Sequence, residues 1–380
     1  MTSNRATNMN RGTKLLMSNK LIQVILAILI ALSVSTSCFA MENMFYILRD
    51  DVSPQSLANL KTHAKSINAL ISQAYHIDEH GQVTGYVNPT LLNFANQNRI
   101  KVLALVTNSG FDKVKAQEFL ASKFAQFKAI QTLVNLARQN HFAGVQFDFE
   151  NISAKDKTAL TSFYLMAANI LHKNGLIVSF AVIPVTNDGQ QQSAFLQKKY
   201  DNWSGGYDLS ELGKSADFIT LMAYDQHTQG TTPGPIAGIH WVDAIVKHAL
   251  QFIPAQKISL GIPAYSGYWF TGAHSEHGIE KISVHSATIS YPQVKALCDK
   301  NHVKLQWSSN DKVNYAIYDH DWLNHYLFVE DTASFKAKLA IAKKYHLGSI
   351  SVFRIGVEDP GIWRLCRRSV GQRIFKVFMN

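Results

Sequence analysis

The segment Gly144-Val145-Gln146-Phe147-Asp148-Phe149-Glu150-Asn151 sets one amide and two carboxyl groups at every second position. Successive side chains of an extended strand alternate faces, so Gln146, Asp148 and Glu150 share one side while Val145, Phe147 and Phe149 share the other. Neighbouring carboxylates on an enclosed face repel each other, and that repulsion holds a proton between them. One carboxyl then stays protonated near neutral pH and can act as a general acid. Isolated acidic triplets of this kind also arise where the acids cap a helix or pair with Arg and Lys. Here they follow a Gly at the strand start and complete an inward-facing set.

Such a set needs a scaffold that presents one strand face to an enclosed interior. Eight β-rich runs are spread along the chain: Met44 to Leu48, Ala69 to Ile77, Val102 to Thr107, Gly144 to Phe149, Leu176 to Ile183, Phe218 to Tyr224, Ile258 to Pro263 and Gly348 to Phe353. Helical periodicity lies between them, over Ala116 to Gln139, Ala159 to His172, Trp241 to Phe252 and Ser334 to Tyr345. The alternation predicts an α/β fold, a closed (β/α)8 TIM barrel, because closure covers every edge of an all-parallel sheet. An open doubly wound sheet is the alternative. In a barrel the polar triplet would rise to the C-terminal mouth, where barrel active sites lie.

About seventy residues separate Pro263 from the helix beginning at Ser334, too many for a structureless loop. They contain β-like Ile282 to Val284, Lys304 to Trp307 and Tyr315 to Ile317, and a helix-like Tyr291 to Asp299. Residues of about 266–330 are therefore predicted to form a small α+β insertion on the C-terminal face, leaving 41–380 as one elaborated domain.

The 380 residues are 47% hydrophobic and 17% charged, which excludes a disordered or low-complexity chain. Residues 1–40 read as a secretory signal: Arg5, Arg11, Lys14 and Lys20 precede an apolar run from Leu21 to Leu32, and small residues lead to Ala40. An uncleaved membrane anchor is the alternative, although the run is shorter than the roughly 20 residues a bilayer needs. An exported, periplasmic, envelope-bound or secreted protein follows from the signal. Removing its four basic and no acidic residues lowers the net charge from +10 to +6. That modest excess, without a Gly-rich phosphate loop or recognition module, argues against a nucleic-acid binder. Cys298 and Cys366 remain, with no metal-binding spacing, and the 15 His residues form no HExxH pattern. No metal or cofactor is predicted, a disulfide is left open, and nothing indicates an oligomeric state.

The Gly144 to Asn151 segment resembles the DxxDxDxE signature of family 18 glycoside hydrolases, the chitinase-like barrels. The resemblance continues in chain order. Ser215 to Asp225, ending Met222-Ala223-Tyr224-Asp225, is similar to the family's sixth strand; Lys257 to Tyr265 resembles the seventh and Gly348 to Arg354 the eighth. Gly234-Pro235-Ile236-Ala237 and Glu330-Asp331 resemble the subgroup with spore-cortex and bacterial polysaccharide-processing members. The resemblance implies a substrate-assisted retaining mechanism without an enzyme nucleophile. Glu150 would protonate the glycosidic oxygen, Asp148 would orient the substrate's 2-acetamido group, and Tyr224 would donate to its carbonyl oxygen. Gln146, Met222, Asp225, Tyr265 and Phe353 would shape the same subsite. The implied partner is an N-acetylglucosamine-containing polysaccharide: chitin, peptidoglycan glycan or a related exopolysaccharide. The alternative is a barrel that binds such glycans without cleaving them.

Three positions depart from the family pattern. Gln146 stands where an inner Asp or Asn is usual and cannot share a proton. Phe353 replaces a Trp, offering less stacking area and no N–H donor. Ala143 occupies the first Asp position. Tyr265, Tyr268, Trp269, Trp307, Tyr315 and Tyr318 gather around the seventh strand and the insertion, where they could wall a cleft or simply pack. Trp203 with Gly205, Gly206 and Tyr207 is similarly ambiguous. His227 is the one His near the expected site, and a surface-loop role suits it as well. The tail from Arg364 to Asn380 mixes Arg364, Arg367, Arg368, Arg373 and Lys376 with Ile374, Phe375, Val377 and Phe378. It could touch an anionic envelope surface or form a last helix.

Overall fold

The computed structural model describes residues 41–48, 54–187, 193–228, 231–276 and 279–366. The predicted signal over 1–40 and the tail beyond Cys366 lie outside them. The strands are β1 (Glu42–Leu48), β2 (Ala69–Ile77), β3 (Val83–Gly85), β4 (Lys101–Asn108), β5 (Gly144–Asp148), β6 (Ile177–Val182), β7 (Phe218–Leu221), β8 (Ile258–Pro263), β9 (Ser266–Glu276), β10 (Ile279–Ile289), β11 (Gln306–Ser308), β12 (Val313–His320), β13 (Leu323–Val329) and β14 (Ser349–Phe353). Among the described residues, β1, β2, β4, β5, β6, β7, β8 and β14 pair in parallel in that order, and β14 returns to β1. The predicted (β/α)8 barrel is thus closed, and β3 adds an antiparallel flap on β2.

Alternation sorts the side chains as the sequence reading requires. Val145, Phe147 and Phe149 are buried outward against the helix Lys157–Lys173. Phe163 of that helix stacks on Phe149 at 5.4 Å, and Tyr164 stacks on Phe180 of β6 at 4.1 Å. Each fully buried aromatic contributes about 2 kcal/mol or more, so β5 is among the most firmly seated strands. The predicted helix over Ala116 to Gln139 is in fact two, Lys113–Ala121 and Lys123–Asn140. Ser122 breaks it, with extended ψ of 101° and its side chain accepting from Ala125 N as an N-cap.

Inside the barrel the layers change character with height. An apolar floor contains Met44, Ile71, Leu103, Leu105, Ile177 and Phe218. A polar layer lies above it: Tyr46 Oη donates to Gln146 Oε1 at 2.7 Å, and Gln146 Nε2 donates to Ser179 Oγ at 2.8 Å and Thr220 Oγ1 at 3.1 Å. Ser351 Oγ continues it, 3.4 Å from Thr220 Oγ1 and 2.6 Å from Ser259 Oγ. Six strands contribute, and the bonds offset the cost of burying so many polar groups.

The predicted insertion is a five-stranded antiparallel sheet, ordered β10-β9-β13-β12-β11, with the helix Tyr291–Lys300 on one face. That helix packs Val294 and Leu297 against Ile289, Ala316, Leu327 and Val329. Trp269 packs instead with Tyr265, Met222 and Tyr224 at the barrel mouth. Where β13 returns to the barrel, Lys338 Nζ of the helix Thr332–Lys344 pairs with Glu330 Oε2 at 2.7 Å, both groups buried. Ser334 Oγ also donates to that carboxylate at 2.8 Å, and Ser266 Oγ accepts from Glu330 N at 3.0 Å. Cys298 and Cys366 are both free thiols.

Candidate active site

The strand β5 ends at Asp148, one residue earlier than predicted, and the chain then turns sharply at its C-terminal end. Asn108, the last residue of β4, fixes that turn: its Oδ1 accepts from Glu150 N at 2.9 Å and its Nδ2 donates to Glu150 O at 3.1 Å. Tyr207 Oη donates to Phe149 O at 2.6 Å. Asn151 turns the chain through a left-handed φ of 58°, which Asn tolerates better than most residues, and its Nδ2 donates to Phe111 O at 3.0 Å. Glu150 is therefore held by its backbone while its side chain is left to face the cavity.

The segment after β7 is shaped differently from the sequence expectation. The predicted strand to Tyr224 stops at Leu221, and Met222, Ala223, Tyr224 and Asp225 leave it through short-range turns, with Asp225 at φ 61°. Gly261 on β8 permits this: a Cβ there would lie 2.4 Å from Leu221 O and 3.0 Å from the Tyr224 ring. Tyr224 stacks on Phe353 at 5.4 Å, and Tyr265 meets both rings edge-on. Tyr265 Oη donates to Asp225 Oδ1 in a short hydrogen bond.

A cavity of about 630 Å3 opens above these residues, lined by Glu150, Met222, Tyr224 and Asp225, with Trp203, Trp241, Ile183, Pro184, Lys198, Lys199, Asn202 and Thr228 around them. Asp148 lies beneath Glu150, buried, and its Oδ1 has no hydrogen-bond partner among the described residues. Burial first, and then the neighbouring Glu150, push the Asp148 carboxyl well above the ordinary range. Glu150 is pushed up to about 7, by burial and then by Asp225. Burial also raises Asp225, opposed by the Tyr265 hydroxyl and by the charge of Lys199. The result is a carboxyl in an open cavity that can release and recover a proton at neutral pH, above a second carboxyl whose acceptor is unused. Among the described residues no group of three or more His, Cys, Asp and Glu side chains is placed to hold a metal ion.

This pairing of strand-end carboxyls with a Tyr-Asp turn two strands on is accompanied by a family match over residues 44–358, to the glycosyl hydrolases family 18. The chain belongs to that family, and it is a glycoside hydrolase. It is 26% identical over 328 residues to an uncharacterized glycosylase, YvbX, of Bacillus subtilis, covering 85% of this chain and 90% of that one. It is 26% identical over 271 residues to the cortical fragment-lytic enzyme of B. subtilis, covering 71% of this chain and 59% of the relative. In structure it resembles a chitinase from Chromobacterium violaceum with a TM-score of 0.74 and 25% identity, over 88% of this chain and 100% of the other.

Within this family 18 barrel, the expected residues separate by depth. Glu150, Met222, Tyr224 and Asp225 line the cavity. Asp148, Tyr265 and the partly exposed Phe353 support them from below or beside. Gln146 is wholly buried, and all its described hydrogen bonds run to Tyr46, Ser179 and Thr220. It serves the polar layer under Asp148 and does not line the cavity. The insertion aromatics divide too. Trp269 is buried against the site, Tyr268 and Tyr318 stack with His325 inside the insertion, Tyr315 stacks on Phe328, and Trp307 is exposed. His227 lies in its own loop, where Nδ1 donates to Thr232 O at 2.9 Å.

Asn108, Tyr46, Trp241 and the two lysines escaped the sequence reading. Asn108 had a usable signal, since it is the polar end of an otherwise apolar strand at the mouth side. The Ser and Thr of the polar layer had another: β6, β7 and β8 each carry one among apolar neighbours, and β14 carries two. Trp241 had none, because its helix also reads as ordinary amphipathic packing.

Proposed function

We propose that the chain is an exported glycosidase that hydrolyses a β-linked N-acetylglucosamine-containing polysaccharide by a substrate-assisted retaining route. The observation that carries the reading is Glu150, held up to about 7 in the cavity wall two residues beyond the buried Asp148, whose Oδ1 has no hydrogen-bond partner among the described residues. Glu150 gives its proton to the glycosidic oxygen as the C1–O bond breaks, and the carbonyl oxygen of the substrate's 2-acetamido group bonds to C1. Asp148 accepts the acetamido N–H through Oδ1 and stabilises the positive charge of the oxazolinium ion. Tyr224 donates its hydroxyl to the acetamido oxygen. Water then attacks C1, Glu150 takes its proton, and the ring opens to give the product with retained configuration.

The names of the relatives, a cortical fragment-lytic enzyme and a chitinase, support a glycan built on N-acetylated sugars. The apolar run from Leu21 to Leu32 behind four basic residues supports export. Hydrolysis of short N-acetylglucosamine oligomers, with a partly deacetylated series and Glu150→Gln, tests the chemistry. Turnover that requires the acetamido group at the cleaved sugar and disappears in Glu150→Gln is expected. Saturable binding without turnover would replace the proposal with a glycan-binding barrel.

A further inference from the structure

The cavity beside Glu150 has a neighbour with which it shares a wall residue. Asn202 lines it and also lines a second cavity of about 570 Å3 bounded by Lys113, Ser153, Lys155 and Asp201. The two are tied together at that residue: Lys113 Nζ donates to Asn202 Oδ1 at 3.4 Å, and Asn202 Nδ2 donates to Lys198 O at 2.9 Å. Lys198 and Lys199 line the first cavity, and Lys113 and Lys155 line the second. None of the four ammonium groups forms an ion pair among the described residues, whereas Lys214, Lys247, Lys338 and Lys344 all do.

Among the described residues, three carboxyl side chains line the two cavities. Glu150 and Asp225 line the first cavity, and Glu150 holds a proton up to about 7. Asp201 lines the second, with Oδ1 accepting from Gln197 Nε2 at 2.9 Å. Asp156 stands beside it and accepts from Gln117 Nε2 at 2.8 Å. Four lysines that form no ion pair among the described residues therefore line the two cavities, and Lys199 is also within electrostatic reach of Asp225. A neutral glycan has no group that repays desolvating them, and a deacetylated one, carrying ammonium groups, is repelled.

We infer that the two adjoining cavities that share Asn202 together form a binding site for a carboxylated glycan, a β-linked polymer in which N-acetylated sugars alternate with sugars bearing a carboxylate. The four lysines pair with successive carboxylates, so the site selects by charge as well as by the acetamido group. This deepens the glycosidase proposal by choosing among its polymers, and it rests on that proposal for the place of the cleaved bond.

The test is binding, measured by calorimetry on the full chain and on Glu150→Gln, so that turnover is not required. The first probe is a tetrasaccharide alternating N-acetylglucosamine and N-acetylmuramic acid, compared with the same molecule after reduction of its lactyl carboxyls to alcohols. A tetrasaccharide alternating N-acetylglucosamine and glucuronic acid distinguishes the two sources of carboxylate. Exposed ion pairs each change affinity by about twofold to fivefold, so two carboxylates should yield a preference of about tenfold over the reduced probe. That preference should shrink between 50 and 300 mM NaCl, roughly as the Debye length shortens. In the variant with Lys113, Lys155, Lys198 and Lys199 all changed to Gln, checked for native melting, the preference should fall to about one.

Equal affinity for the carboxylated and reduced probes, or a preference that survives the four substitutions, would overturn the inference and leave the glycosidase proposal intact. A carboxylate preference with no hydrolysis of any N-acetylated oligomer would leave the cationic binding site standing and remove the catalytic proposal. Preference for the glucuronate probe over the muramate probe supports the inference and assigns the carboxylate to a uronic acid.

Discussion

Replacing Glu150 by Gln should stabilise the protein at alkaline pH while destroying its activity. Glu150 is held up to about 7 in the folded protein, against an ordinary 4.5 that the unfolded chain recovers. Between those two values the folded state keeps a proton that the unfolded state has released. Stability therefore falls as pH rises from 4.5 to 7 and stays lower above 7; this is the opposite sign to a carboxylate in a salt bridge. At about 1.36 kcal/mol per pH unit the gap corresponds to about 3 kcal/mol, with the partial opening of the side chain to the cavity and its coupling to Asp148 bringing the expectation to about 2–3 kcal/mol. Gln has the same shape and no charge to bury. The unfolding free energies of wild type and Glu150→Gln, from urea titrations followed by tryptophan fluorescence, should agree at pH 4 and differ by about 2–3 kcal/mol in favour of the variant at pH 8. A difference that is flat across this range would refute the argument that the cavity holds the Glu150 proton by burial and by the charge of Asp225. Such a result would also remove the physical basis for a proton donor working near neutrality.

Three further outcomes follow from the same geometry. Asp225→Asn takes away the second cause of the Glu150 elevation, so the alkaline limb of kcat should move to lower pH by up to about one unit; a pH–rate profile whose limb stays put or moves upward contradicts this. Asn108→Ala loses both hydrogen bonds to the Glu150 backbone, and should cost about 2 kcal/mol of stability and reduce kcat about tenfold or more with KM changed less than threefold in steady-state assays. Lys338→Met leaves Glu330 buried without its cation and should cost about 3–5 kcal/mol in denaturant titrations, most of it recovered in the double variant Glu330→Gln/Lys338→Met.

All eight barrel strands were legible because parallel strands buried on both faces read as short apolar runs, and the helices between them carry their own period. The strand ends were less so. Met222 to Asp225 have strand-like residue types, yet the chain turns there because Gly261, on a strand forty residues away, leaves room for the Tyr224 ring. The insertion was legible as a length and a composition, but β9 and β13 were not. Their pairing joins residues about sixty positions apart, such as Tyr268 and Leu327, and no local pattern records such a pairing. The helix break at Ser122 was visible as a cap residue but was overridden by a continuous apolar period on both sides.

What the sequence by itself determined is the alternation of Gln146, Asp148 and Glu150 on one strand face, since a period of two follows from backbone geometry alone. It also determined the order of the motifs along the chain, and with them the family. Only the tertiary structure decided how deep each residue sits. Gln146 went to a hydrogen-bonded layer, Asp148 to a buried shelf with one acceptor unused, and Glu150 to the wall of an open cavity. Depth sets desolvation, and desolvation is the largest cause of the raised proton affinity at both carboxyls. The same holds for the lysines. As residues in sequence they are ordinary surface cations, and only the fold brings Lys198 and Lys199 to one cavity and Lys113 and Lys155 to its neighbour, because a site's charge is a sum over chain segments that meet only in the folded chain, here around Asn202.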